Sequence, residues 1–292
     1  MVRLFLTSGL AVMVLSALFF ALTDVLIKFV SPSVGVIEIA FSRFLVGGVV
    51  LLPLMSLRGI SLRGNRTFAL LVRGFTGTLG FLFLIKSISM ISIANAMVLF
   101  YTSPVFAAFF SFLLFREPLG RGEIILIAVG LIGVYVLMEP GSHLYNWGDA
   151  FGLLAGCFAG FTVVLIRKLG ETNGTLIIYF YYCLVGGAVC FPLFLKEFMM
   201  PSPQQFLVLV ALGLIFLIAQ LLMNQGFKLC KASEGSVILM SEVVFIGIAG
   251  VFIFKDSLSP GFLAGALLIV GSGVGLNLTH RRLRRFEVSR GP

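Results

Sequence analysis

Charge is what this 292-residue chain has least of. Asp, Glu, Lys and Arg make up 11% of it against 59% hydrophobic residues, too little polar surface to cover a soluble domain. Histidine is nearly absent: His143 and His280 stand far apart. The four cysteines, Cys157, Cys183, Cys190 and Cys230, fall in or beside apolar runs without metal-ligand spacing. Small buried hydrophobes fit them better than structural disulfides, and neither a metal nor a cofactor is expected. No paired aspartates and no His–Glu zinc arrangement occur that intramembrane proteolysis would need; Asp24 and Asp149 are remote in sequence. An enzyme is therefore not expected, and an intramembrane enzyme is kept only as a remote alternative. The nucleotide-binding pattern G-x-x-x-x-G-K-[ST] is also missing.

What is present is long apolar runs. A helix needs about 20 predominantly apolar residues to cross a bilayer. Ten such stretches can be marked, at 7–29, 34–56, 66–87, 92–115, 120–138, 147–168, 174–195, 204–226, 234–254 and 260–279. The runs are continuous rather than alternating, which argues against barrel strands. The connectors are short, so neighbouring helices are antiparallel. The N-terminal run superficially matches a signal peptide. It continues past the usual signal length, however, lacks a clear cleavage site and is echoed internally at 147–168.

That echo is general. Residues 14–54 reappear 139 positions later: Thr23 falls on Thr162, Ile27 on Ile166, Leu45-Val46-Gly47-Gly48 on Leu184-Val185-Gly186-Gly187, and Pro53-Leu54 on Pro192-Leu193. The expectation is an all-α polytopic membrane protein with ten transmembrane helices, built as two five-helix repeats over 1–139 and 140–280, with a basic tail at 281–292. Five is odd, so the second copy enters the bilayer from the opposite side. Inverted repeats of this kind belong to secondary transporters, whose site lies between the copies near the midplane.

Lys and Arg set the orientation. Arg3, Arg58, Arg63, Arg66, Arg116, Arg121 and the arginines at 281–290 fall on one side, with Arg167, Lys168, Lys228 and Lys231; Lys28, Lys86, Lys196 and Lys255 fall on the other. Both termini are thus expected in the cytoplasm and the protein in the inner membrane. The net charge of +9 reads as a topology signal and not as nucleic-acid binding. The run His280–Arg285 is suited to anionic headgroups.

Polar residues inside spans are costly and normally face a cavity or a partner. Glu242 lies halfway along the ninth span, where it reads either as a proton carrier or counter-charge for a cationic substrate, or as a fixed partner of Arg43 or Arg73. Its repeat counterpart is Ser103, so the scaffold does not demand charge there. Arg43, in the second span, can receive a substrate carboxylate, for which a planar guanidinium is suited, or hold a neighbouring helix. Arg73 lies nearer the cytoplasmic face, where it can snorkel and reads as structural. Asp24 and Lys28, one turn apart near the outer end of the first span, read as a local pair, with gating from outside as the alternative. Gln220 and Asn224 share a face of the eighth span and, with Tyr101, Thr102 and Ser103, offer hydrogen bonds to a small polar solute. Pro104 is expected to kink the fourth span; its counterpart Val243 is no proline, so the scaffold alone does not require the break. Gly152, Gly156 and Gly160, and the pairs Gly261/Gly265 and Gly271/Gly275, allow close packing, either within one subunit or in a homodimer.

Arg43-Phe44, Ser103-Pro104-Val105-Phe106, Phe115-Arg116-Glu117-Pro118-Leu119 and Ser241-Glu242-Val243-Val244-Phe245 resemble elements of the drug/metabolite transporter superfamily, EamA type. Val243 replaces the proline usual in the last of these, which argues against a symmetric kink. The resemblance implies a basket of spans around a central cavity, with the fifth and tenth peripheral. It also implies transport driven by a gradient or by exchange, with a proton or counter-substrate as coupling partner. The reading reached is secondary-active export or exchange of a small polar, amino-acid-like metabolite by alternating access. Glu242, Arg43, Tyr101, Ser103, Gln220 and Asn224 are the candidate substrate or coupling residues, and Pro104 the helix kink. Uptake or exchange of a nucleotide-like or cationic metabolite or drug is the alternative. The inverted topology predicts that tags in the loops near residues 60 and 199 are modified from opposite faces of the bilayer; accessibility from a single face would contradict it.

Overall fold

A backbone crossing hydrocarbon must satisfy its N–H and C=O groups internally, and the apolar runs do so as helices. The computed structural model describes residues 8–91, 93–116, 120–138, 147–254 and 260–289. In chain order the helices are α1 (Gly9–Val30), α2 (Val36–Leu57), α3 (Thr67–Ile88), α4 (Ile93–Phe100), α5 (Ser103–Phe115), α6 (Arg121–Met138), α7 (Trp147–Gly170), α8 (Thr175–Glu197), α9 (Pro203–Leu229), α10 (Ala232–Leu239), α11 (Ser241–Phe254) and α12 (Pro260–Ser289). Nine segments among the described residues are long and apolar enough to cross a membrane. The 18-residue α6 takes the remaining place, so the ten expected positions are all filled by helix. Glu117, Pro118, Lys255 and Asp256 of the hairpin-end elements lie outside the described residues, as do the side chains of the basic tail from 280 onward.

Packing follows the repeat. α3 lies against α7 as α9 lies against α1, while α2 packs on its own counterpart α8 and α6 on its counterpart α12. That is how two copies related by a twofold axis pair. Large apolar side chains such as Phe68, Phe252 and Leu267 point outward, as a lipid-facing surface requires. α6 and α12 touch the rest of the molecule through α4, α10 and α11, which places them at one side of it.

Two spans are broken, at matching places. The fourth is α4 and α5 with Tyr101 and Thr102 between them; the ninth is α10 and α11 with Met240 between them. The second break corrects the expectation drawn from Val243, since no proline is needed to make it. Pro104 does not kink a continuous helix. It occupies the first turn of α5, where its missing N–H would have had no helical partner anyway. What the breaks share is a hydroxyl. Thr102 Oγ1 donates to the Leu99 carbonyl at 2.5 Å and Ser241 Oγ to the Ile238 carbonyl at 2.7 Å, two bonds related by the repeat. Backbone bonds of the tighter three-residue type close each turn, Thr102 N to Leu99 O at 3.2 Å and Met240 N to Val237 O at 3.1 Å.

Glycine brings α7 onto the first break. A Cβ on Gly156 would come within 2.7 Å of Thr102 Oγ1, and one on Gly160 within 2.7 Å of the Ser103 carbonyl and 2.6 Å of Phe106 Cβ. The corresponding face of α1, Met13, Ala17 and Ala21, is buried, and α1 packs on α10 and α11. The Gly152–Gly160 stripe thus serves packing inside the subunit. Gly265 does the same between α12 and α6, where a Cβ would meet the Gly133 carbonyl at 2.5 Å; Gly271 faces open space.

On the terminal side, polar links join the loops. Asn65 N donates to Asn173 Oδ1 at 2.8 Å, Asn173 Nδ2 to the Asn65 carbonyl at 3.0 Å and Lys228 Nζ to the Asn173 carbonyl at 2.7 Å. Lys231 and Glu123 form a 3.0 Å ion pair nearby in sequence. Because backbone stands in the way of any side chain at Gly160, Gly160→Val should separate α7 from α5. The expected cost is about 1–3 kcal/mol, read as a lowered unfolding midpoint in detergent.

Candidate functional site

The breaks place one side-chain position of each half at the inner end of a half-helix. Ser103 opens α5, and Glu242 lies in the first turn of α11. Glu242 meets Asp24 of α1, and Tyr101, from the break in the fourth span, lies beside it. The Tyr101 hydroxyl is buried with no hydrogen bond at bonding distance. Asp24 and Glu242 are each part-buried. Asp24 turns inward, within electrostatic reach of Glu242 and Arg43, while Lys28 is exposed. The sequence reading of a local Asp24–Lys28 pair did not name these neighbours.

Arg43 is held by aromatic faces. Its guanidinium carbon lies 4.1 Å from the centroid of Phe81 and 4.6 Å from that of Phe216. Such contacts return about 0.5–2 kcal/mol each, and they fix the plane of the guanidinium in a slot between α3 and α9. The side chain is 5% exposed and its Nε has no hydrogen-bond partner.

Arg73 does not snorkel. It is 1% exposed, stacks 4.2 Å above the Tyr182 ring and donates from Nη2 to Gln220 Oε1 at 3.1 Å. Depth along a span was readable from the sequence, but not the face of α3 that Arg73 occupies, which looks onto α8 and α9. Gln220 is thereby tied to Arg73. Asn224, one turn along the same face, is fully buried, and neither Oδ1 nor Nδ2 has a partner. Tyr182 is the repeat counterpart of Arg43, and Phe81 that of Gln220. The two halves thus fill equivalent places with unlike chemistry.

Two groups of candidates result. Glu242, Tyr101 and Arg43 converge, with Asp24 added; Gln220 and Asn224 form a second group, with Arg73 and Tyr182 added. Ser103 is part-buried at the start of α5. Sequence reasoning named Asp24 and Arg73 without placing them among the site candidates, and it missed the ring partners Phe81, Phe216 and Tyr182. The asymmetry of Phe81 against Gln220 was visible as a repeat mismatch; that Phe81 receives an arginine was not.

The model of the EamA-like transporter family matches twice, over residues 7–139 and 146–278. The chain belongs to the EamA-like transporter family. The two matches are displaced by 139 residues, the same step as the internal repeat. The chain is 29% identical over 278 residues to the pseudopaline exporter CntI of Pseudomonas aeruginosa, covering 94% of this chain and 98% of that one. It is 26% identical over 286 residues to solute carrier family 35 member G1 of Homo sapiens, covering 91% and 78%. To an S-adenosylmethionine uptake transporter of Rickettsia prowazekii it is 23% identical over 264 residues, with 90% of each covered. A crystal structure 21% identical in sequence superposes with a TM-score of 0.81, covering 95% of this chain and 98% of the other, and supports the fold. The protein is an EamA-type member of the drug/metabolite transporter superfamily.

Gln220→Leu keeps roughly the same bulk and removes the acceptor bonded to Arg73. Leaving that donor buried and unpaired should cost about 1–3 kcal/mol. A lower unfolding midpoint in detergent is expected, and an unchanged midpoint would show that Gln220 does not hold Arg73.

Proposed function

We propose that this chain is a secondary carrier of the inner membrane that moves a small amino-acid-like metabolite by alternating access. The direction is outward or exchanging, with both termini in the cytoplasm. The observation that carries the reading is the meeting of opposite charges at a broken helix. Glu242 begins half-helix α11 beside Asp24, with Arg43 within electrostatic reach of Asp24. Half-helices that end inside a membrane protein are tolerated where they line a cavity, and charge inside a span is the usual sign of a solute path.

In this reading the acid groups take the cationic end of the substrate and the Arg43 guanidinium its carboxylate. Asn224 supplies hydrogen bonds that orient it, since both its amide atoms are buried without partners, and Tyr101 stands beside Glu242 to do the same. Ser103 lines the approach at the start of α5. The two repeats rock about this site, opening it to one side at a time, and a proton or a second substrate molecule drives the return. The exporter among the relatives favours outward movement; the uptake transporter shows that the family supports the reverse.

The test is solute counterflow in proteoliposomes with a panel of amino acids and related metabolites, run with and without a pH gradient. Glu242→Gln should reduce exchange by roughly tenfold or more, as loss of one charged contact does, and should flatten its dependence on pH. Uptake, affinity and pH response all unchanged in Glu242→Gln would overturn the role given to Glu242.

A further inference from the structure

The helix face that carries Phe216, Gln220 and Asn224 holds more positive charge and more donors than the protein itself satisfies. Phe216 and Gln220 are one turn apart on α9. The first lies under Arg43 and the second is bonded to Arg73, so the two guanidiniums occupy successive turns of one stripe. Side chains four apart on a helix are separated by about 5–6 Å. Both arginines are more than nine-tenths buried, at 5% and 1% exposure. Unpartnered atoms gather here: Arg43 Nε, Arg73 Nε and Nη1, and both amide atoms of Asn224.

The compensation is one-sided. Arg43 has Asp24 within electrostatic reach. Arg73 has a neutral amide, Gln220, and a phenol ring, Tyr182. A ring face attracts a cation but accepts few of its hydrogen bonds. A buried guanidinium without a counter-charge is expensive to keep. A ligand with acid groups would supply the counter-charge and accept from the unpaired donors at once.

We propose that Arg43 and Arg73 together form a two-point site for a small diacid. The substrate of the carrier then bears two carboxylates separated along the stripe, with Asn224 donating to the second of them. This deepens the carrier reading above by naming the class of its substrate, but binding at the two arginines can be measured without transport.

The experiment is thermal unfolding of the purified full chain in detergent, titrated with succinate or glutarate, with butyrate as monoacid and with sulfate as a compact dianion, all at constant ionic strength. Wild type should be stabilised by the diacids at about tenfold lower concentration than by butyrate or sulfate, the factor that one further charged contact supplies. In Arg73→Gln the diacid and the monoacid should converge to within about twofold of each other. Arg73→Lys, which keeps the charge, should lose most of the diacid preference because an ammonium lacks the planar fork. Equal half-saturation by diacid and monoacid in wild type, or no saturable stabilisation by either, overturns the proposal. So does sulfate matching succinate, which would mean one compact anion site. A diacid preference that persists in both variants also overturns it, by showing that Arg73 takes no part. Diacid binding with no counterflow of any metabolite would instead sink the carrier reading and leave the two-point site standing.

Discussion

Inside a bilayer a peptide group has no water to turn to, and the whole arrangement follows from where this chain leaves its helical ladder. It does so within the fourth and the ninth spans, and both places lie inside the molecule. The exposed carbonyls there are taken by local partners, Leu99 by Thr102 and Ile238 by Ser241. The close approach of α7 at Gly156 and Gly160 keeps lipid from the first of these turns. With that interruption in place, half-helix α11 carries Glu242 in its first turn, beside Asp24 and Tyr101. Continuous helices would have carried the same residues past one another along unbroken faces.

The repeat explains why the scaffold is symmetric, and its mismatches explain why the interior is not. Thr102 and Ser241 are chemically alike and hold equivalent turns. One residue further on, Ser103 and Glu242 differ in charge. Arg43 corresponds to Tyr182, and the ring of Tyr182 lies beneath Arg73. Gln220 corresponds to Phe81, and the ring of Phe81 lies against Arg43. The first half therefore supplies both arginines, and the second half supplies the Phe216 and Tyr182 rings and the Gln220 amide that receive them. Duplication built the frame, and divergence at matched positions built a polar interior that neither half possesses alone.

Much of this was legible in the residues. Span positions follow from apolar length, and the internal echo follows from direct comparison of the chain with itself. Glu242 and Arg43 stood out because charge in hydrocarbon has to be accounted for. The missed features share one cause: they depend on rotation about a helix axis relative to distant neighbours. Asp24 sits one turn from Lys28, and local spacing points to that pair; Glu242, which also meets Asp24, lies in the other half of the chain. Arg73 was placed by its depth, whereas the face of α3 it occupies decides that it meets Tyr182 and Gln220. The second break escaped because proline was taken as its cause. Met240 breaks without one, since tertiary packing and a serine hydroxyl suffice.

The loop clasp of Asn65, Asn173 and Lys228 has counterparts of another kind at the opposite mouth, where the repeat puts Gln204, Val34 and Ser89. There Val30, Val34, Ile39, Leu209 and Leu212 form an oily plug. Prising apart the clasp trades its bonds for equally good ones to water, a small net change. Unseating the plug wets hydrocarbon, a loss that grows with every square ångström uncovered. Cooling weakens the plug and leaves the clasp nearly untouched. The two ends of the molecule are therefore held by forces that answer differently to temperature.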